Sequence, residues 1–195
     1  SLHQSTPIPF RTIDTLATTA STLEFFSGTG LFMTAQTKSK KVKTGAYFWD
    51  SLLPDPMNMV ASVRMQNNKG RPISSAIAPS HYYAYLGTSH GEIITIDTRK
   101  FEVVSTLNAH DRGIMAFVVD SNENYFVTGG GDGNMKVWDI KSQKLLCENK
   151  ESHQTKTFYE NGKLRMYGIT SLVLYDDVIY SAGIDGKIKS TQFNA

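Results

Sequence analysis

Residues 107–139, LNAHDRGIMAFVVDSNENYFVTGGGDGNMKVWD, are the stretch that most constrains the fold of this chain. Three short apolar runs lie between turn residues, from Ala109-His110 at the start to Trp138-Asp139 at the end. A glycine after a short polar residue, as in Asp132-Gly133, suits a tight hairpin because glycine tolerates positive φ. The pattern therefore predicts consecutive antiparallel strands that form one structural unit.

The corner that ends this unit recurs along the chain. Phe48-Trp49-Asp50 forms one corner, Ile96-Asp97 a second without Trp, and Thr191-Gln192 a degenerate fourth after Trp138-Asp139. The intervals are about 47, 42 and 53 residues, near the period of roughly 40–45 that is typical of a four-stranded WD40 blade. The sequence thus predicts an all-β WD40 β-propeller with about four blades, as part of a seven-bladed ring.

The repeat alignment treats residues 1–195 as one propeller region and divides it into blades. The blades are expected at approximately 14–64, 72–108, 109–148 and 167–195, and the last of them lacks an outer strand unless another segment supplies it. Two inserts interrupt the period, a basic one at 36–46 and a polar one at 149–166. Both are interpreted as surface loops, where propellers usually carry their binding differences.

The unit at residues 109–139 predicts a buried hydrogen-bond tetrad. An Asp would orient an imidazole, the imidazole would bond a Thr hydroxyl, and that hydroxyl would accept the indole N–H, which satisfies each buried polar group. A hydroxyl, a His and an Asp also resemble a hydrolase triad, but here the hydroxyl would face an indole and no open oxyanion site. The predicted tetrad is His110, Thr128, Asp132 and Trp138, and the other blade-corner residues are Trp49, Asp50, Asp97, Asp139 and Asp185.

Composition and residue spacing predict no catalytic, cofactor or metal site. The net charge is +2, Cys147 is the single cysteine, and no apolar run is long enough to span a bilayer. His81 and His90 lack metal-ligand spacing, and Gly129–Gly131 reads as a turn between strands, not a phosphate loop. We therefore expect no catalytic residue, cofactor or metal, and no nucleic-acid partner. A possible interaction loop carries Lys38, Lys40, Lys41 and Lys43.

Beyond the generic repeat, three segments carry a more specific resemblance. FWDSLLP (48–54), HGEIITIDTRK (90–100) and AHDRGIMAFVVDSNENYFVTGGGDGNMKVWDI (109–140), with the ending VIYSAGIDGKIKSTQF, resemble the C-terminal WD40 region of the DmX-like family, also called rabconnectins. The resemblance covers roughly residues 45–192. Because the chain starts without Met, we also expect it to begin inside a longer protein.

The resemblance implies a very large cytoplasmic scaffold that acts in assembly of the vacuolar-type proton ATPase, and so in acidification of endosomes and synaptic vesicles. Its implied partners are proton ATPase subunits and Rab regulators, and the implied location is peripheral on vesicle membranes. The alternative is an unrelated WD40 adaptor of a ubiquitin ligase or an RNA-processing complex, which the upstream sequence would distinguish. An enzyme would need a perturbed ionisable cluster in the central channel, and the sequence offers none.

Overall fold

A computed structural model describes residues 12–13, 19–39, 43–54, 57–66 and 70–193. These residues form seventeen β-strands and no helix, which confirms the predicted all-β class. The strands pair antiparallel in chain order, each with its sequence neighbour, so every sheet is a meander. This is the topology of a propeller blade.

Three complete four-stranded blades come first. The first contains β1 (Ala20–Phe25), β2 (Leu31–Gln36), β3 (Gly45–Asp50) and β4 (Met59–Arg64). The second contains β5 (Pro72–Ile77), β6 (Tyr83–Thr88), β7 (Glu92–Asp97) and β8 (Glu102–Asn108). The third contains β9 (Ile114–Val119), β10 (Tyr125–Gly130), β11 (Met135–Asp139) and β12 (Leu145–Asn149).

A hairpin and a three-stranded sheet follow. The hairpin is β13 (Lys156–Glu160) and β14 (Lys163–Tyr167), and the fourth blade is β15 (Ile169–Tyr175), β16 (Val178–Gly183) and β17 (Ile188–Gln192). In the described part of the chain no strand pairs with the outer edge of β17.

The blades pack face to face around the four inner strands. Phe126 and Trp138 of the third blade pack against Tyr85 of the second, whereas Val127 and Val137 on the opposite face pack against the fourth blade. Every residue of β10 is therefore buried, while outer strand β12 is mostly exposed. A β-strand sends alternate side chains to its two faces, so each middle strand contributes to two interblade cores.

Hydrogen bonds also join neighbouring inner strands. Ser21 Oγ donates to the Pro72 carbonyl at 2.8 Å, and Ser74 Oγ donates to the Ile114 carbonyl at 2.7 Å. Each serine lies at a β-bulge in its strand: Ser21 is the unpaired residue of the bulge in β1, and Ser74 directly follows the bulge in β5. A bulge bends its strand locally, and at each of these two bulges a serine side chain reaches the next blade.

The structure shortens the basic insert that was expected at 36–46. Gln36 ends β2, and Gly45 and Ala46 are buried in β3. A Cβ on Gly45 would lie 2.2 Å from the Val63 carbonyl oxygen, so the backbones of β3 and β4 approach too closely for a larger residue. Only residues 37–44 lie between the strands, and Lys40 and Lys41 fall outside the described residues.

The polar insert at 149–166, which was expected to be a surface loop, contains ordered strands. It contains the end of β12, a buried His153, and the hairpin of β13 and β14. Similarly, Gly129 and Gly130 are not turn residues but the last two residues of β10. In both places a polar or glycine-rich segment forms ordered strand, because the backbones of adjacent strands pair with it.

Candidate functional site

The four residues predicted as a tetrad lie together in the third blade. Thr128 is at the centre: its Oγ1 lies 2.9 Å from His110 Nε2 and accepts the indole N–H of Trp138 at 3.0 Å. His110 Nδ1 lies 3.1 Å from Oδ2 of Asp132. One tautomer satisfies the whole chain, with Nδ1–H donating to the carboxylate and Nε2 accepting from the Thr hydroxyl.

The network is buried and electrostatically balanced. The His110 side chain has no exposed surface and that of Asp132 is 12% exposed. Burial alone would raise the pKa of Asp132, but the hydrogen bond from His110, helped by the Asn134 backbone N–H and the charge of Lys136, holds it below its usual range. A neighbouring cation and donated hydrogen bonds favour the carboxylate form.

A lysine extends the tetrad. Lys136 Nζ donates to the carbonyl of Ala109 at 2.7 Å and lies 3.3 Å from Glu148. Ala109 immediately precedes the tetrad histidine, so the lysine fixes the position of the segment that delivers the imidazole. Sequence reasoning missed this role, because a lysine two residues before Trp138 reads as an ordinary exposed strand residue.

The fourth blade contains a second network that the sequence did not reveal. His153 Nδ1 lies 2.9 Å from Asp185 Oδ1, and His153 Nε2 lies 2.9 Å from Ser181 Oγ. The hydrogen bond from His153 lowers the pKa of Asp185 to about 2. Lys189 Nζ donates to the Ser152 carbonyl, which repeats the contact between Lys136 and Ala109.

One signal could have located this network. Ser181 precedes Asp185 by four residues, the spacing of Thr128 and Asp132 in the third blade. A histidine should then lie upstream, but the hairpin displaces His153 from its expected distance. Thr191 stands at the position of Trp138, so this blade has no indole to complete the set.

In the first two blades other side chains stand in place of the tetrad histidine, and the two blades differ in which side chains these are. In the first, Trp49 Nε1 and Gln36 Nε2 both donate to Thr34 Oγ1, at 2.9 and 2.7 Å. The Gln36 side chain is buried, and its Oε1 has no hydrogen-bond partner among the described residues. In the second blade, Leu86 and Ile96 occupy the hydroxyl and indole positions and are fully buried, so the core there is apolar.

The residue two positions after the central hydroxyl position distinguishes the blades that contain a His–Asp pair from the blades that do not. A Cβ on Gly130 would lie 2.1 Å from Asp132 Oδ1 and 2.4 Å from His110 Nδ1, and one on Gly183 would lie 2.3 Å from His153 Nδ1. Where Gln36 or Thr88 takes this position, no imidazole lies there in the described residues. Glycine thus creates the space in which the His–Asp pair sits.

The remaining corner acids organise turns. Asp97 binds Arg99, with 2.7 Å between Oδ2 and Nη2, and this hydrogen bond lowers the pKa of Asp97 to about 2. Asp50 Oδ1 accepts the Leu52 backbone N–H at 2.8 Å, and Asp139 accepts from Ser142. Each acid lies in its own blade corner, so the structure does not bring them together into one site.

Hydrogen bonds to backbone groups fix the described lysines of the basic insert. The Lys38 N–H donates to Thr44 Oγ1 at 3.1 Å, and the Lys43 carbonyl accepts from Tyr47 at 2.8 Å. His81 packs edge-on against Phe26, and His90 is exposed. Within the described ranges no three His, Cys, Asp or Glu side chains are grouped to hold a metal, and no helix has the length and apolarity to cross a membrane.

Neither hydroxyl–imidazole–carboxylate set is arranged for catalysis. Thr128 and Ser181 have 0% and 1% of their surface exposed. A nucleophile must reach a substrate carbonyl beside an oxyanion site, and these hydroxyls face packed side chains. Their chemistry is the satisfaction of buried polar groups, which stabilises each blade.

These features define the chain as a WD40-repeat β-propeller protein. The family model for the WD domain, G-beta repeat, matches residues 101–139, the segment that holds the complete tetrad. Among solved structures, the computationally designed Ika4 protein superposes with a TM-score of 0.67 at 18% identity, covering 90% of this chain and 92% of that one. WD40 propellers are generally non-catalytic.

Within that class the chain resembles a WD40 region of the DmX-like family. Over 95% of the chain, the sequence is 28% identical to DmX-like protein 1 of mouse, and over 95% of the chain it is 28% identical to the human protein. These matches confirm the resemblance found in the sequence. A shorter match, 28% identical over 49% of the chain, is to myosin heavy chain kinase C of Dictyostelium discoideum and covers 12% of that protein. The chain spans 6% of the length of the DmX-like relatives.

Proposed function

We propose that this chain is a non-catalytic protein-interaction propeller of a DmX-like scaffold that serves assembly of the vacuolar-type proton ATPase. The observation that carries the proposal is the similarity to DmX-like protein 1, which extends over all four blades and not only over the one generic repeat. The buried networks support a non-catalytic role, because the hydroxyls of Thr128 and Ser181 are buried and do not reach a substrate.

The same proposal names partners and a location. Proton ATPase subunits and Rab regulators would bind the scaffold, and the complex would lie peripherally on endosomal or synaptic vesicles in the cytoplasm. The support for each is family similarity. Propeller surfaces suit such a role because their loops project from a rigid frame.

Co-purification tests the proposal. The full-length protein that contains this chain should recover peripheral-sector subunits of the pump, and a version that lacks these 195 residues should recover less and should leave vesicles less acidic. The control is an equal expression level of both versions. Recovery of ubiquitin-ligase or RNA-processing subunits in place of pump subunits would overturn the proposal in favour of a generic adaptor.

A further inference from the structure

We propose that the outer edge of the first blade binds an extended protein segment in which apolar and acidic residues alternate, and that this segment adds to the sheet as a fifth strand. The inference rests on the proposed interaction role and names a surface that would serve it. Three features of the first blade support it: an unpaired strand edge, an apolar groove beside that edge, and a basic end of the blade.

The first feature is the edge of the outer strand β4. In the described part of the chain, β3 pairs with one edge of β4 and no strand pairs with the other. The Met65 N–H donates to the Thr44 carbonyl at 2.9 Å, so the backbone at Met65 faces β3. Because successive residues of a strand point their backbone groups to opposite sides, the N–H and C=O groups of Ser62 and Arg64 face away from β3. Such a row of unpaired backbone groups can pair with another strand.

The second feature is an apolar groove between this edge and the second blade. Its volume is about 570 Å³, which is within the range of sites that hold ligand groups. The residues that line it include Val63 and Met65 of the first blade and Ile94, Phe101 and Val103 of the second. Val103 is 43% exposed, so apolar surface is open to a ligand. An apolar side chain that enters this groove is favoured because it leaves water.

The two faces of β4 set the pattern that an added strand must have. Val63 packs in the core between the first two blades, whereas Ser62 and Arg64 are exposed on the opposite face. A strand added to this edge alternates in the same way, and residues directly opposite each other share a face. Every second residue of the added strand therefore points toward the groove, and the residues between them lie beside Ser62 and Arg64.

The third feature is the positive charge at this end of the first blade. The register of β3 and β4 places Arg64 at the end where the connection from β2 enters β3, and Lys38 and Lys43 in that connection are exposed. Residues 37–49 and 56–91 contain seven Lys or Arg and no acidic residue. No described residue forms an ion pair with Arg64. Carboxylates on the added strand would thus meet complementary charge.

The outer strands of the next two blades lack this combination. β8 begins with Glu102 and β12 contains Glu148, whereas β4 contains no acidic residue. An acidic strand added at β8 or β12 would meet like charge, which destabilises cross-strand pairs. A protein segment fits the β4 edge better than a nucleic acid, because a polypeptide supplies backbone N–H and C=O groups that pair with a strand.

Fluorescence anisotropy of labelled peptides with the 195-residue chain tests the added strand. The probe is an eight-residue peptide of alternating Glu and Val, compared with its Lys–Val counterpart and with a block peptide of four Glu followed by four Val. We expect the alternating acidic peptide to bind about tenfold more tightly than either, because it alone matches both the charge and the two faces. N-methylation at every Glu or at every Val should abolish binding for one of the two patterns, since one set of N–H groups faces β4.

Variants of the chain locate the site. Arg64→Glu should weaken the acidic peptide about tenfold and strengthen the Lys–Val peptide, because it reverses the charge beside the added strand. Ser62→Pro should also weaken the acidic peptide, because it removes an N–H that faces away from β3. The matched control is Lys144→Glu, which reverses another exposed basic residue outside the first blade and should bind like wild type. Thermal melting shows whether each variant keeps the fold, and Arg64→Glu decides the test if Ser62→Pro does not.

The outcomes separate this inference from the proposed function. Equal binding of the alternating and block peptides, unchanged binding by Arg64→Glu, or tighter binding of a twelve-nucleotide uridylate would each overturn the added strand. Loss of self-association in a folded Ser62→Pro variant, measured by light scattering, would overturn it in favour of a second copy at this edge. Pump co-purification that persists without peptide binding refutes only the added strand, whereas peptide binding without pump recovery refutes only the proposed function.

Discussion

At the scale of single residues, a threonine hydroxyl with two hydrogen-bond partners links the strands of the first and third blades. Thr128 bonds both an imidazole and an indole, and Thr34 accepts from an amide and an indole. Burying these polar groups costs free energy unless each is paired. The stability of a blade thus depends on all of these hydrogen bonds together rather than on any one of them.

Truncating the indole tests that dependence. We expect Trp138→Ala to lower the free energy of unfolding by about 3–5 kcal/mol, because it opens a core cavity and removes a donor to Thr128. Urea unfolding measures the change. Tyr159→Ala, at a 74% exposed position, serves as the comparison and should change stability by only about 0.5 kcal/mol. A stable Trp138→Ala variant would contradict the structural role of the tetrad.

Adding one methyl group at Gly130 should break the His–Asp pair. Its Cβ would overlap Asp132 and His110, and we expect Gly130→Ala to cost about 2–3 kcal/mol through buried groups left unpaired. The matched glycine is Gly30, where a Cβ would first meet the side chain of Leu52, which is 80% exposed and free to move. If Gly130→Ala and Gly30→Ala unfold at the same urea concentration, the spatial argument fails.

The fourth blade should show an acid dependence. An unfolded Asp titrates near pH 3.9, and in the fold the pKa of Asp185 is about 2. Because the folded value is the lower one, the stabilisation is complete above about pH 4 and is lost as the pH falls toward 2. The melting temperature of wild type should exceed that of Asp185→Asn near neutral pH, and the gap should close in acid. Asp111→Asn, at an exposed carboxyl, should leave the curve unchanged.

At the scale of strands and hairpins, sequence patterns reveal what repeats locally and miss what depends on a distant partner. Strand positions follow from Gly and Asp turns, and the tetrad of the third blade follows from its compact spacing. His153 was missed because a twelve-residue insertion separates it from Ser181 and Asp185. The hairpin was missed because its polar residues carry no strong strand alternation, although Asn161-Gly162 is a turn signal.

Deleting the hairpin tests its independence from the blade. Removal of residues 156–167 joins Thr155 to Gly168 and reproduces the three-residue link of the third blade. We expect a single cooperative melt within a few degrees of wild type, because the His153 network does not include the deleted residues. A loss of cooperative unfolding would mean that the hairpin contributes to the core.

At the scale of the whole molecule, the fourth blade has an apolar face that no described element covers. The fourth blade exposes Val173, Tyr175, Tyr180 and Ile188 on the side away from the third blade. The equivalent face of the third blade packs Val127 and Val137 against its neighbour. An exposed apolar sheet face next to an unpaired strand edge promotes association.

This face predicts the behaviour of the isolated chain. Light scattering after gel filtration should show self-association that increases with concentration, and Tyr175→Ser with Ile188→Ser should suppress it without lowering the melting temperature. Leu146→Ser is the control, since it changes exposed apolar surface outside this face. If the chain is monomeric at all concentrations, this face does not mediate self-association.

The link between His153 and Ile169 has a use in protein design. Its two ends are held by bonds that do not involve the hairpin, so the position behaves as a natural graft site. Foreign two-stranded segments of even length could be exchanged there while the blade keeps its register. Introducing a binding segment at this link would then require no redesign of the propeller core.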